Sequence, residues 1–412
     1  MRNKRADRIK SLIRTMVDQL EFDKSGVRIS TNIYKISEEI IEVLENKNGN
    51  QKTNQSRIDF LSQDDACIIL IKFTQEACKN IISNDNRELV TGLLEPSVIE
   101  SLCNDIFDFL LSLPRCYNIQ FQIPLFHGDK LFKFNHITMG FSFDEPLPKV
   151  PNIPLIMAKN NNSIGLNCRV EGYCNNENND TYKSALSLLK VIIQQGLTEK
   201  IFIKKEEEKY SSYLYQALSI HKGKTIPEYF VQVTEVDADG EVMCFSLPDH
   251  IAHFISQLTI NYYYLTSLPD HEEFLNKFFQ RCCRIAFEKN LENIKAACEW
   301  LFNSHAYETN DISMSFLQIC FGLESLFTEN KERGKENDPP ILALIATKIA
   351  YLIANDAKER KSIMDKIKKF YGIRSGLVHG RKTSLRAKER DLFYFGKIVL
   401  GRSIQKEIKM TS

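Results

Sequence analysis

Residues 357–380, AKERKSIMDKIKKFYGIRSGLVHG, decide the reading of this chain, because one cation in them stands where a core side chain belongs. Ile363, Ile367, Phe370, Tyr371, Leu377 and Val378 recur at helical spacing and predict one apolar stripe on a helix over 358–378, with Gly380 marking its end. Helical geometry puts Arg374 in the middle of that stripe. An unpaired buried guanidinium is costly, so Arg374 must meet a carboxylate or open onto a cleft that takes an anion. Glu324 is the candidate counter-ion, at the edge of the stripe formed by Phe316, Cys320, Leu323 and Phe327 on a preceding helix.

Outward from this stretch, residues 266–412 read as an all-α bundle, with helices expected near 269–304, 311–328, 340–355, 358–378 and 385–408. Residues 1–265 read as a mixed α+β region with a break near 115. Ile9, Leu12, Ile13, Met16, Val17 and Leu20 predict an amphipathic first helix, a second is expected over 36–45, and 62–113 has helical texture. The polar run NKNGNQKTNQSR between them reads as a loop. After Pro114 the segments NIQFQIPLF, KLFKFNHITMGFSF and IGLNCRVEGYC alternate as strands do, as do YFVQVTEV and EVMCFSL around the turn-forming DADG, and a helix is expected over 182–195. The pentapeptide SLPDH occurs at 246–250 and 267–271, each time as a helix-start signal.

The net charge of +1 over 412 residues hides a gradient. Residues 356–412 carry 16 Lys and Arg against 6 Asp and Glu, leaving 38 against 47 for residues 1–355. A basic C-terminal unit suits a polyanion such as RNA, and a solvated helix surface is the competing reading. No run approaches the roughly 18 apolar residues of a membrane span, so no membrane partner is expected. The 11 cysteines sit in apolar segments, without a CxxC pair, which predicts a reducing cytoplasm and no structural metal. His250 and His253 read as helix-surface residues, Tyr262, Tyr263 and Tyr264 as core, and Cys282 and Cys283 as core rather than as hydrolase nucleophiles.

An arginine and a histidine at an anion site suggest RNA transesterification without a metal or other cofactor. Histidine titrates near neutrality and can move the 2′-hydroxyl or 5′-oxygen proton, while arginine offers a fixed fork to the phosphoryl oxygens. His379 follows Ser375 by four residues and shares its face, whereas Arg374 and His379 on one unbroken helix point about 140° apart. They converge only through a bend near Gly376, a frayed helix end, or a second copy of the chain. The competing reading is a buried Arg374–Glu324 pair with His379 as a helix-end hydrogen-bonding residue.

The string KKFYGIRSGLVHG, with LQICFGLESLF and ACEWLFNSHAYETND upstream, resembles the ApeA-like branch of HEPN domains over about residues 285–405. The resemblance implies a metal-independent endoribonuclease, often a toxin or antiviral abortive-infection effector, whose site forms between two bundles of a homodimer. By that analogy Arg374, Ser375 and His379 form the R-polar-x3-H motif and Glu324 supports it. The basic residues Arg381, Lys382 and Arg386, which follow the motif directly, are with Tyr371 the expected RNA contacts. Many members carry Asn, Asp or His where this chain has Ser375. Arg381 stands where members silenced by nucleotidyltransferase antitoxins carry tyrosine, so no such partner is expected. The alternative within the resemblance is a non-catalytic HEPN module for RNA binding or dimerisation. Residues 1–265 resemble no family and are expected to meet a trigger protein or orient RNA.

Overall fold

The computed structural model describes residues 2–45, 61–81, 87–121, 166–204, 230–236, 242–327 and 341–411. The chain divides into two compact units: 1–119 with 169–183 and 233–243, and 120–168 with 184–232 and 244–412.

The first unit opens with α1 (Arg2–Val17), whose Ile9, Ile13, Met16 and Val17 are buried, as their spacing predicts. The strands β1 (Glu21–Asp23) and β2 (Gly26–Arg28) form a hairpin, followed by α2 (Thr31–Glu45) and α3 (Gln63–Ala77). Then come β3 (Glu88–Leu89), α4 (Val90–Leu93) and α5 (Pro96–Ser112), so the helical texture over 62–113 is interrupted. The three strands order β2-β1-β3, antiparallel throughout. Ser62 caps α3 with reciprocal bonds to Asp65, and Pro96 begins α5, where its missing amide costs nothing. The apolar faces of α1, α2, α3 and α5 share one core with Tyr173.

Further along run β4 (Arg115–Phe121), β5 (Leu166–Gly172), α6 (Asp180–Thr198), β6 (Phe202–Lys204), β7 (Phe230–Glu235) and β8 (Met243–Ser246). The strands β5-β4-β7-β8 hydrogen-bond in that order, and each overlaps a segment whose alternation reads as a strand. The expected strands in KLFKFNHITMGFSF, and the DADG turn, lie outside the described residues.

The second unit continues with α7 (Asp249–Ser256), β9 (Leu258–Ile260), α8 (Tyr262–Ser267) and α9 (His271–Phe287). The two SLPDH copies are used differently. In the first, Pro248 is the cap residue and Asp249 lies in the first turn; in the second, Asp270 is the cap and accepts from the Glu273 amide at 2.9 Å. The bundle proper is α10 (Glu292–Tyr307), α11 (Ile312–Phe327), α12 (Ile341–Ile353), α13 (Ala357–Val378) and α14 (Arg390–Thr411). The single helix expected over 269–304 is broken by a 3-10 turn at Lys289–Leu291, with Leu291 buried. The helix α6 belongs here too: Ser187 bonds Glu299, and Gln195 bonds Cys298 at 3.2 Å and Gln405 at 2.7 Å. Helical packing in this unit therefore includes residues well before 266.

The helices α10 and α11 form a hairpin whose polar seam is Ser315, bonded at 2.6 Å to the Ser304 carbonyl. Facing them, α13 buries Ile363, Ile367, Phe370, Tyr371 and Ile373, but Leu377 is half-buried and Val378 is exposed. The stripe read from the sequence thus ends one turn early, at Ile373. Tyr263 is also exposed, against the expectation that it joins the core. No described helix is long and apolar enough to cross a membrane.

Candidate active site

The helices α11 and α13 bring four polar side chains to one spot: Cys320 and Glu324 one turn apart on the first, Tyr371 and Arg374 one turn apart on the second. Glu324 meets Arg374, as the helical pattern predicts. The Arg374 Nη2 donates to Oε2 at 3.2 Å, and its Nε lies 3.2 Å from Oε1 without the alignment of a hydrogen bond. Each side chain keeps 27% of its surface exposed, so the pair is neither free in solvent nor sealed in the core. Two buried polar atoms here lack a hydrogen-bond partner, the Arg374 Nε and the Tyr371 hydroxyl. Burial, reinforced by Cys320 and Glu324, pushes the Tyr371 phenol well up, and burial with the Glu324 charge does the same to the Cys320 thiol. Both stay neutral. Tyr371 lies in the core rather than on an exposed RNA-facing surface.

His379 sits one residue past the end of α13, exposed, with φ −91° and its amide bonded to the Ser375 carbonyl at 3.1 Å. Gly380 follows at φ +68°, the left-handed conformation that lets the chain turn away, and its amide bonds the Leu377 carbonyl. The helix is unbroken through Gly376, so no bend there turns Arg374 and His379 together. Ser375 is half-buried between them.

The basic segment after the histidine is not a row of free cations. The Lys382 stem lies over Gly376, where an added Cβ would be 3.1 Å from its Cδ, and its ammonium pairs with Glu389. Glu389 is 8% exposed. Burial raises its pKa, but the Lys382 ammonium and the Arg386 amide outweigh that and hold it below the usual range. The Lys382 amide bonds the Gly376 carbonyl at 2.9 Å, and the Leu385 amide bonds Ser313 Oγ at 2.8 Å. The expected phosphate contact Lys382 is thus tied down, whereas Arg381 and Arg386 are exposed.

Other expected residues fall as follows. His250 stacks on Tyr307 at 4.5 Å, and His253 pairs with Gln257 at 2.9 Å. Among the described residues no group of three His, Cys, Asp or Glu could hold a metal. Cys282 and Cys283 are buried, and burial pushes both thiols up, Cys283 to about 12, the reverse of an activated nucleophile.

A polar cluster not read from the sequence lies at the end of α10. Lys397 Nζ lies 3.0 Å from His305 Nδ1 and 2.7 Å from Glu308, and the His305 ring stacks on Phe254 at 5.7 Å. The string HAYE carries His305 and Glu308 three apart, but nothing in it names Lys397. Burial, then the Lys397 and Lys204 ammoniums, hold the imidazole well below its ordinary 6.5. A depressed base stays neutral in the folded chain and protonates more readily once unfolded. Its contribution is therefore complete above pH 6.5 and is lost as pH falls below it. Urea unfolding from about pH 7.5 to about pH 5 should show stability falling by up to about 1.4 kcal/mol per pH unit from this group. His305→Gln should flatten that slope; an unchanged slope refutes the assignment.

Comparisons with protein-family models, with curated proteins and with solved structures gave no match for this chain.

Proposed function

We propose that the chain is a HEPN-type endoribonuclease that cleaves RNA by attack of the adjacent 2′-hydroxyl, acting as a toxin or antiviral effector. The observation that carries this reading is the part-exposed guanidinium of Arg374, whose Nε has no hydrogen-bond partner, on the same helix that ends in the exposed imidazole of His379. His379 takes the 2′-hydroxyl proton or protonates the departing 5′-oxygen as the P–O5′ bond breaks and a 2′,3′-cyclic phosphate closes. Arg374 holds the non-bridging oxygens as charge builds, with Glu324 fixing the fork. Because α13 is unbroken from Ala357 to Val378, the complete site takes its arginine and histidine from two copies of the chain, a homodimer with a twofold axis near the end of α13. The first unit would receive the trigger or orient the RNA.

A non-catalytic RNA-binding or dimerising module is favoured by one observation, the Arg374–Glu324 pair itself, which satisfies part of the guanidinium without any ligand. The two readings separate on product chemistry. Purified protein incubated with RNA in EDTA should yield fragments with 2′,3′-cyclic phosphate ends, and intact RNA under those conditions leaves the binding module.

A further inference from the structure

The helix α13 carries more cations than its packing uses. Arg360 lies over the Tyr351 ring at 4.9 Å, Lys366 over the Phe395 ring at 5.1 Å, and Arg374 on Glu324. Lys358, Lys361, Lys368 and Lys369 are exposed, and among the described residues no hydrogen bond or ion pair involves their ammoniums. Their placement is ordered. At about 100° per residue, Lys368, Gly372, Ser375 and the angular position of His379 all fall within about 40° of Lys361, while Lys358 and Lys369 lie about 60° and about 80° to one side of that line. At Gly372 an added Cβ would meet nothing within 4 Å, so the line crosses a bare patch of backbone. Asp365 is the one acidic side chain on this face.

From Lys361 to His379 the line runs about 27 Å along a rigid helix. That length suits the short sites, of about 4 nucleotides upward, on which single-strand binders work. A row of exposed ammoniums with a single carboxylate among them repels itself and is stabilised by a polyanion laid along it. An anionic membrane fits less well, because a helix lying on a membrane needs an exposed apolar face, and Ile363, Ile367, Phe370 and Ile373 are buried against the bundle.

The geometry points to this face of α13 as the track that guides single-stranded RNA to His379, with Lys361 and Lys368 contacting successive backbone phosphates. The direction of travel rests on the proposed cleavage site; the track itself does not. The strand is held before the histidine, by lysines upstream of it in the chain.

The test uses full-length protein carrying His379→Ala, so that the probe survives, and a fluorescein-labelled oligouridylate of about ten nucleotides. Adding Lys361→Gln and Lys368→Gln should weaken binding about 25-fold at about 0.1 M salt and make the slope of log K against log salt shallower by about 1.4. Lys35→Gln with Lys72→Gln, exposed lysines of the first unit, should change neither. Affinity within about twofold of the parent with an unchanged slope overturns the track, as does binding to phosphatidylserine vesicles without binding to the oligonucleotide. If wild-type protein binds the probe through these lysines but leaves RNA intact, the track stands and the cleavage reading falls. If it cuts RNA while the lysine variant binds as tightly as the parent, the track alone falls.

Discussion

His379→Ala is expected to lower the rate of RNA cleavage by about 10²–10⁴-fold while leaving the fold intact. The side chain is exposed, and only its backbone takes part in ending α13, so stability should change by less than about 0.5 kcal/mol. Arg374→Ala should bring a comparable loss of activity but should also destabilise the protein, because it removes the guanidinium that pairs with the part-buried Glu324. Arg374→Lys separates these effects. It keeps a charge beside Glu324 but removes the planar fork, so folding should largely recover while cleavage stays impaired. Cleavage measured on a labelled RNA in EDTA, beside urea unfolding of each variant, reads both quantities. Undiminished cleavage in His379→Ala and Arg374→Ala would reduce the Arg374–Glu324 pair to a structural one.

What the sequence reveals about this region follows from where its signals are local. The start of α13 is signalled by Asp356, which accepts from the Glu359 amide at 2.7 Å, and its end by Gly380. The Arg374–Glu324 pair is legible because Arg374 interrupts one apolar stripe and Glu324 lies at the edge of another, and opposite charges so placed on packed helices call for each other. Long-range choices are not legible in the same way. Lys382 and Arg381 look alike as sequence, yet only Lys382 reaches the buried Glu389, and that depends on how the chain turns after Gly380. The pattern over 270–304 contains no Pro or Gly, so the break at Lys289–Leu291 comes from burying Leu291 rather than from a breaker residue. Likewise Lys358, Lys361, Lys368 and Lys369 can be counted in the sequence, but their lack of partners among the described residues can be seen only once Arg360, Lys366 and Arg374 have found theirs.

The largest expected loss of stability is at Phe370, where Phe370→Ala should cost about 3–5 kcal/mol in urea unfolding. The ring is fully buried and lies 4.3 Å, centroid to centroid, from Phe316 of α11. It also fills the space that Gly396 of α14 leaves open: a Cβ on Gly396 would come within 2.4 Å of Phe370 Cε2. Phe370 therefore sits where α11, α13 and α14 meet, one residue before Tyr371 and one turn before Arg374. Truncation empties that junction and loosens the apposition that brings Arg374 to Glu324. Tyr394→Ala on α14, at a side chain 49% exposed, should cost far less. Gly396→Ala supplies the sharper check. Alone it overpacks the junction and should destabilise by about 1–3 kcal/mol, but beside Phe370→Leu the added methyl enters space that the smaller side chain vacates. The double variant should then be more stable than the sum of the single losses by at least about 0.5 kcal/mol. Strict additivity would mean that the two helices do not meet at Phe370, and with that the rigid support for the Arg374–Glu324 pair would be lost.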